Sequence, residues 1–177
     1  MLTPDDLEAA IASQRIAARL VRNLGDTSTV PLAAAALGVG AERIVKSMLF
    51  LVQLPGQVDS PQPVLVVCDG TRRVDYRAIA ARFGVSRKKV ELASAAVVLD
   101  TLGYPAGGVP PIGHRTKVPT VLDSALLAQE AGYHAAVYGG GGDDSTMLEI
   151  QVGELRRVLQ PEVLDVTAPP STPNMGR

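Results

Sequence analysis

Residues 43–54, RIVKSMLFLVQL, form a largely apolar run with one lysine near its start. Read as a strand, the run sends Ile44, Lys46, Met48 and Phe50 to one face and Val45, Ser47, Leu49 and Leu51 to the other, because side chains alternate across a pleated strand. Both rows are apolar, so whatever this chain folds into must cover the strand on both sides. That leaves Lys46 two options. It snorkels from the strand end to water, or something anionic offsets the cost of desolvating its amine. Residues 64–68, VLVVC, read as a second strand, reached through the turn-rich PGQVDSPQP.

The flanking segments read as helices and shorter strands. Thr3-Pro4-Asp5-Asp6 is a helix start: Thr3 caps, Pro4 suits the first helical position, and the aspartates favour the positive end of the dipole. This N-terminal helix is expected to occupy residues 1–25, ending before Gly25, with Arg15, Arg19 and Arg22 on one face. Residues 26–30 read as extended, and Pro31 opens an alanine-rich helix closed by Gly38. Asp75 caps a helix with Tyr76, Ile79 and Phe83 inward and Gly84 at its end. A short helical segment follows over residues 94–102, and a strand over 118–122. Asp123 or Ser124 then caps ALLAQEA, which Gly132 stops. Residues 134–138 read as a strand running into four glycines. Leu148, Ile150 and Val152 alternate with polar neighbours, as in a strand with one buried face. A last helix over 154–159 ends before Pro161. The tail from Ala168, APPSTPNMGR, has nothing apolar to bury and is expected to be disordered, which places one domain at 1–167 and a tail at 168–177.

Between the helical segment and the strand at 118 lies GYPAGGVPPIGHRTKVP, residues 103–119, with neither a helical nor a strand period. Gly107-Gly108 lets backbone approach a ligand with no Cβ in the way, while Pro110-Pro111 fixes φ and removes two amide donors. Such a segment is a surface loop or the wall of a binding site.

Charge and composition remove several classes. The chain has 177 residues, 17 Lys+Arg against 18 Asp+Glu, and a net charge of −1, so no global field draws it to nucleic acid. A local basic patch remains: Arg72, Arg73, Arg77, Arg82, Arg87, Lys88 and Lys89. Of these, Arg72, Arg73, Arg77, Lys88 and Lys89 are candidates for phosphate contacts. The one cysteine, Cys68, excludes an internal disulfide and a cysteine-rich zinc site, and reads as a small buried hydrophobe. The N-terminus lacks a secretion signal and no apolar run is long enough to span a bilayer, so a cytoplasmic location with no membrane partner is expected. The glycine run at 139–142 lacks the spacing of a phosphate-binding loop, and Asp143-Asp144 beside it would repel phosphate. No HExxH, GxSxG or CxxC occurs, and His114 and His134 have no evident triad partners. Asp123 could act as a general base, although capping explains it more simply. Neither a metal nor another cofactor is expected.

In order along the chain, ALGVGAERIVKSMLFLV with Lys46, VLVVCDGTRRVDYRAIA, LGYPAGGVPPIGHRTKVPTVLD, and a glycine-rich strand end at 138–142 followed by MLEIQV resemble the YbaK/EbsC-like aminoacyl-tRNA deacylases. That family is related to the editing domain inserted in bacterial prolyl-tRNA synthetases. The resemblance covers residues 26–167. It implies an α/β (α+β) fold, a single compact domain whose helices surround a strongly curved mixed sheet. It implies hydrolysis of the ester between an amino acid and the terminal ribose of a mischarged tRNA, acting in trans. Its implied partners are the acceptor end of aminoacyl-tRNA and an aminoacyl-tRNA synthetase. By the same resemblance, Lys46 orients the terminal nucleotide, and Gly107, Gly108 and Gly113 present backbone groups to the reacting carbonyl. Val109, Pro110, Pro111, Ile112, Tyr138, Gly139, Gly140 and Asp123 are placed at the substrate. The chain departs from many relatives at Tyr138, where serine or alanine is common, and over residues 139–146. A second reading is a binding or regulatory module that keeps the pocket for a nucleotide or aminoacyl group without hydrolysing anything.

Overall fold

The computed structural model describes residues 1–57, 60–128 and 136–168. Along the chain come α1 (Pro4–Ser13), β1 (Ala18–Val21), α2 (Val30–Leu37), β2 (Val45–Val52), β3 (Gln62–Asp69), β4 (Arg73–Val74), α3 (Tyr76–Phe83), β5 (Val90–Leu92) and α4 (Ala95–Leu102). They are followed by β6 (Thr120–Asp123), β7 (Ala136–Gly140), β8 (Met147–Gln151), α5 (Val152–Leu159), β9 (Glu162–Leu164) and β10 (Thr167–Ala168). A five-stranded sheet runs in the order β5-β2-β3-β6-β9. It is mixed, since β2 is antiparallel to β3 and β5 while β6 is parallel to β3 and β9. A three-stranded sheet, β1-β8-β7, meets it at a bridge between Ile44 and Tyr138, and β4 pairs with β10 as a small ribbon. The α/β class and the mixed sheet agree with the expectation.

β2 is covered on both faces, as its apolar rows require. Val45 and Leu49 join Leu65, Val67, Leu122 and Leu148 in the main core, which α1 and α5 complete with Leu7 and Leu155. Phe50 and Val52 pack with Val64, Val66, Cys68 and Ile79 in a second core under α3. Full burial of each such side chain stabilises the fold by about 1.5–3 kcal/mol. The helix ends follow the chemistry of their residues. Thr3, Thr29, Asp75 and Ser94 each accept a backbone N–H at an N-terminus, and Gly38, Gly84 and Gly103 close α2, α3 and α4 in the left-handed region.

The N-terminal helix is shorter than expected. It stops at Ser13, Arg15 turns the chain at φ 52°, and residues 18–21 pair antiparallel with β8. A left-handed non-glycine residue costs roughly 1–2 kcal/mol, and the pairing with β8 and the burial of Ile16 offset it. The three arginines therefore share no face. Arg19 meets Glu149 across the strands at 2.6 Å, whereas Arg22 turns back to Asp5 and Glu8 on α1. Asp123 caps nothing: the turn that follows, Ser124–Leu126, is 3-10 and receives no side-chain cap. The rest of the expected ALLAQEA helix beyond residue 128, His134, and the tail beyond Ala168 lie outside the described residues.

Candidate active site

β5 covers only Phe50, Leu51 and Val52 of its neighbour β2. Beside residues 45–48 the sheet margin is open, and a cavity of about 340 Å³ sits there. Its walls are β2 itself, Thr27, Ser28 and Thr29 leading into α2, Gly107 and Val109 from the glycine-proline loop, and Gly140 and Met147 from β7 and β8. Four of the expected site residues, Lys46, Gly107, Val109 and Gly140, are thus brought together.

Lys46 takes neither of the options its sequence left open. Its Nζ donates to the carbonyl of Gly70 at 3.3 Å and to that of Arg72. An ammonium has three donors, so these two bonds leave one over, and Lys46 lines the cavity. The accepting turn is built by Asp69, whose Oδ1 accepts from the Thr71 N–H at 2.8 Å and the Thr71 hydroxyl at 2.7 Å. Gly70 has to be glycine here, because a Cβ would stand 2.6 Å from Val30 Cγ2 and 3.0 Å from the Ile44 carbonyl. Next to Lys46, Ser47 also lines the cavity, while its hydroxyl is buried with no hydrogen-bond partner.

The loop over residues 105–113 lies against the end of β7, and the glycines on both sides let it do so. A Cβ on Gly140 would stand 2.6 Å from the Val109 carbonyl, one on Gly139 2.7 Å from the Pro111 ring, and one on Gly108 2.8 Å from the Asp143 carbonyl. Gly108 also spends its backbone inward, donating to Pro105 O and accepting from Gly142 N. Gly107 differs: at φ 97° it lines the cavity, with nothing within 4 Å of an added Cβ. Pro110 and Pro111 are buried behind the wall. His114 Nε2 donates to Pro110 O at 2.7 Å, and burial lowers the pKa of the ring, so it holds the loop as a neutral imidazole. Ile112 and Gly113 turn to a second cavity of about 230 Å³, beside His114 and Lys117. The Tyr104 hydroxyl, pushed by burial to about 12, donates to Gly113 O.

The remaining candidates are dispersed. Tyr138 packs with Ala33, Ile44 and Met147 and does not line the cavity, so the departure at this position is felt one layer back. Asp123 is fully buried and faces the C-terminal segment: its Oδ1 accepts from Val166 N at 3.2 Å and its Oδ2 from the Thr167 hydroxyl at 2.7 Å. Cys68 stands opposite Lys46 in the β2–β3 register, yet burial outweighs that charge and pushes the thiol up to about 12. Arg73, Arg77, Lys88 and Lys89 are exposed, whereas Arg72 directs its Nε inward to Thr167. Sequence reasoning missed Thr27, Ser28, Thr29, Ser47 and Met147. Only Thr29 had a signal, as a cap before Val30-Pro31; the others matter because β5 is short, which no residue pattern foretold. Among the described residues no three His, Cys, Asp or Glu gather as a metal-binding set, and no helix is long and apolar enough to cross a membrane.

Residues 25–158 match the aminoacyl-tRNA editing domain family. The Enterococcus faecalis protein named "Putative Cys-tRNA(Pro)/Cys-tRNA(Cys) deacylase EbsC" is 27% identical over 134 residues, covering 76% of this chain and 74% of that one. "Proline--tRNA ligase" of Limosilactobacillus fermentum is 31% identical over 153 residues, covering 82% of this chain; the chain spans 25% of that protein's length. A crystal structure described as "a putative trans-editing enzyme for prolyl tRNA synthetase" superposes with a TM-score of 0.77 at 24% identity, covering 96% of this chain and all of that one, a likeness of fold. The chain belongs to the aminoacyl-tRNA editing domain family.

Proposed function

We propose that the protein is a trans-acting hydrolase that deacylates mischarged aminoacyl-tRNA by cleaving the ester to the terminal ribose. The observation that carries this reading is that, in a chain of the editing family, one cavity brings together Lys46, whose ammonium keeps a donor beyond its two carbonyl bonds, with Ser47, Gly107 and Val109. Lys46 holds the terminal nucleotide, and the loop backbone faces the ester carbonyl. Water adds to the carbonyl carbon, the oxyanion is held by backbone donors, and the intermediate collapses by breaking the bond to the ribose oxygen. The neighbouring ribose hydroxyl relays the water's proton to that leaving oxygen. A single oxyanion donor contributes roughly 10²–10³ in rate, and holding ester and water in place contributes further, so no side-chain nucleophile is required.

The test is incubation with a panel of aminoacyl-tRNAs, measuring free amino acid, with and without chelator. Release from a subset of mischarged tRNAs, unaffected by chelator and dependent on the vicinal hydroxyl of the terminal ribose, is the expected result. Tight binding of aminoacyl-tRNAs with no release would replace it with the binding-module reading.

A further inference from the structure

The carbonyls that hold Lys46 belong to a turn whose far side is gripped by the last described strand of the chain. β10 pairs with β4 through Thr167↔Val74 and Ala168↔Arg73, and the Asp75 N–H donates to Val166 O at 2.8 Å. The C-terminal side of this clasp, residues 166–168, lies beyond residues 25–158, the stretch that matches the family. Thr167 is its only described side chain engaged with both Asp123 and Arg72. Its hydroxyl proton goes to Asp123 Oδ2 at 2.7 Å, and its lone pair accepts from Arg72 Nε at 2.6 Å. Asp123 is fully buried, with the Arg72 guanidinium 3.9 Å away. A carboxylate so placed must keep its partners, so Thr167 has little freedom to turn. Arg72, tied through its side chain to Thr167, presents its own carbonyl to the Lys46 ammonium.

We infer that Thr167 is a positioning residue for Lys46: it links the buried Asp123 carboxylate to Arg72 and thereby fixes the carbonyls that aim the lysine into the cavity. The consequence for catalysis rests on the deacylase reading above; the positioning itself does not. Valine has the same shape as threonine but can neither accept from Arg72 nor donate to Asp123, whereas serine does both.

The readout is the side-chain ammonium of Lys46 by lysine-selective NMR, assigned with Lys46→Arg. In the wild-type protein its protons should exchange slowly, because two carbonyls hold them. Thr167→Val should speed that exchange tenfold or more, and Thr167→Ser should restore it. Arg72→Met, which removes the guanidinium and leaves the Asp123–Thr167 bond, should act like Thr167→Val and serves in its place if that variant does not fold. Fast exchange in the wild-type protein, or a Lys46 signal unchanged in folded Thr167→Val, overturns the inference. Deacylation should fall with the signal and return with Thr167→Ser. A released Lys46 with wild-type deacylation would support the positioning and remove Lys46 from the reaction, whereas lost deacylation with an unmoved Lys46 signal would overturn the positioning.

Discussion

Lys46 sits in a strand whose other side chains, Ser47 apart, are apolar, and the answer to its charge is a pair of carbonyl dipoles on the 69–72 turn. Bonds to a charged donor contribute about 1.5–3 kcal/mol, against which its desolvation must be set. Lys46→Ala should therefore destabilise the protein by no more than about 3 kcal/mol in denaturant melts. Deacylation should drop by about 10² or more, since the lost contact is to substrate. A variant that melts like the wild type and turns over at the wild-type rate would reduce Lys46 to a packing residue. Cys68 makes the complementary case: it lies opposite a lysine, yet burial holds its thiol near 12. The folded protein should resist iodoacetamide at about pH 8, where an ordinary thiol near 8.5 reacts, and Cys68→Ser should keep turnover within a few-fold. The proximity of Cys68 to Lys46 was not legible from the sequence, because register decides it; the inertness of Cys68 was legible, because an apolar VLVVC run signals burial.

At the scale of elements, the loop over residues 105–113 and the glycines of β7 form one unit, and the two adjacent loop glycines do different work. Gly107→Ala places a methyl group in open cavity space, at the cost of a positive φ, worth roughly 1–2 kcal/mol. Gly108→Ala collides with the backbone of Asp143. The first should lower deacylation more than thermal stability, and the second should lower both; equal, small effects on turnover would take the loop out of the site. His114 gives the loop a pH dependence. Its folded pKa lies below the ordinary value near 6.5, so the unfolded chain takes up the proton more readily. The stability it contributes is complete above about 6.5 and is lost as pH falls through that value towards the folded pKa. Between about pH 7 and 5 the Tm of His114→Gln should fall less than that of the wild type, while deacylation at neutral pH persists. The loop was legible as a special segment because glycine and proline announce irregular backbone. Its division of labour was not, since that depends on which glycine meets residues 139–143 across the fold.

Over the whole molecule, α2, α3 and α4 were legible to within a few residues, whereas α1 kept its Thr3 cap but ended far short of Gly25. β1, β4, β5, β9 and β10 were not legible. They span only 4, 2, 3, 3 and 2 residues, too short for a period of two to register, and their partners lie far away in sequence. Missing β10 concealed why Asp123 is buried, and missing β5, with the little of β2 that it covers, concealed the opening beside Lys46. Charge is uneven in the same way: a chain of net charge −1 exposes Arg73, Arg77, Lys88 and Lys89. Affinity for tRNA should fall with salt, and charge reversal at Arg73 and Arg77 should weaken binding without changing the rate at saturation. Affinity indifferent to both would mark these side chains as solvated surface. The central claim, that the cavity beside Lys46 hydrolyses the aminoacyl ester, is tested most directly by single-turnover release of labelled amino acid from a mischarged tRNA with enzyme in excess, comparing wild type with Lys46→Ala. The account predicts release by the wild-type protein well above the spontaneous rate and near-spontaneous release by the variant. Spontaneous release by both, or equally fast release by both, would contradict it.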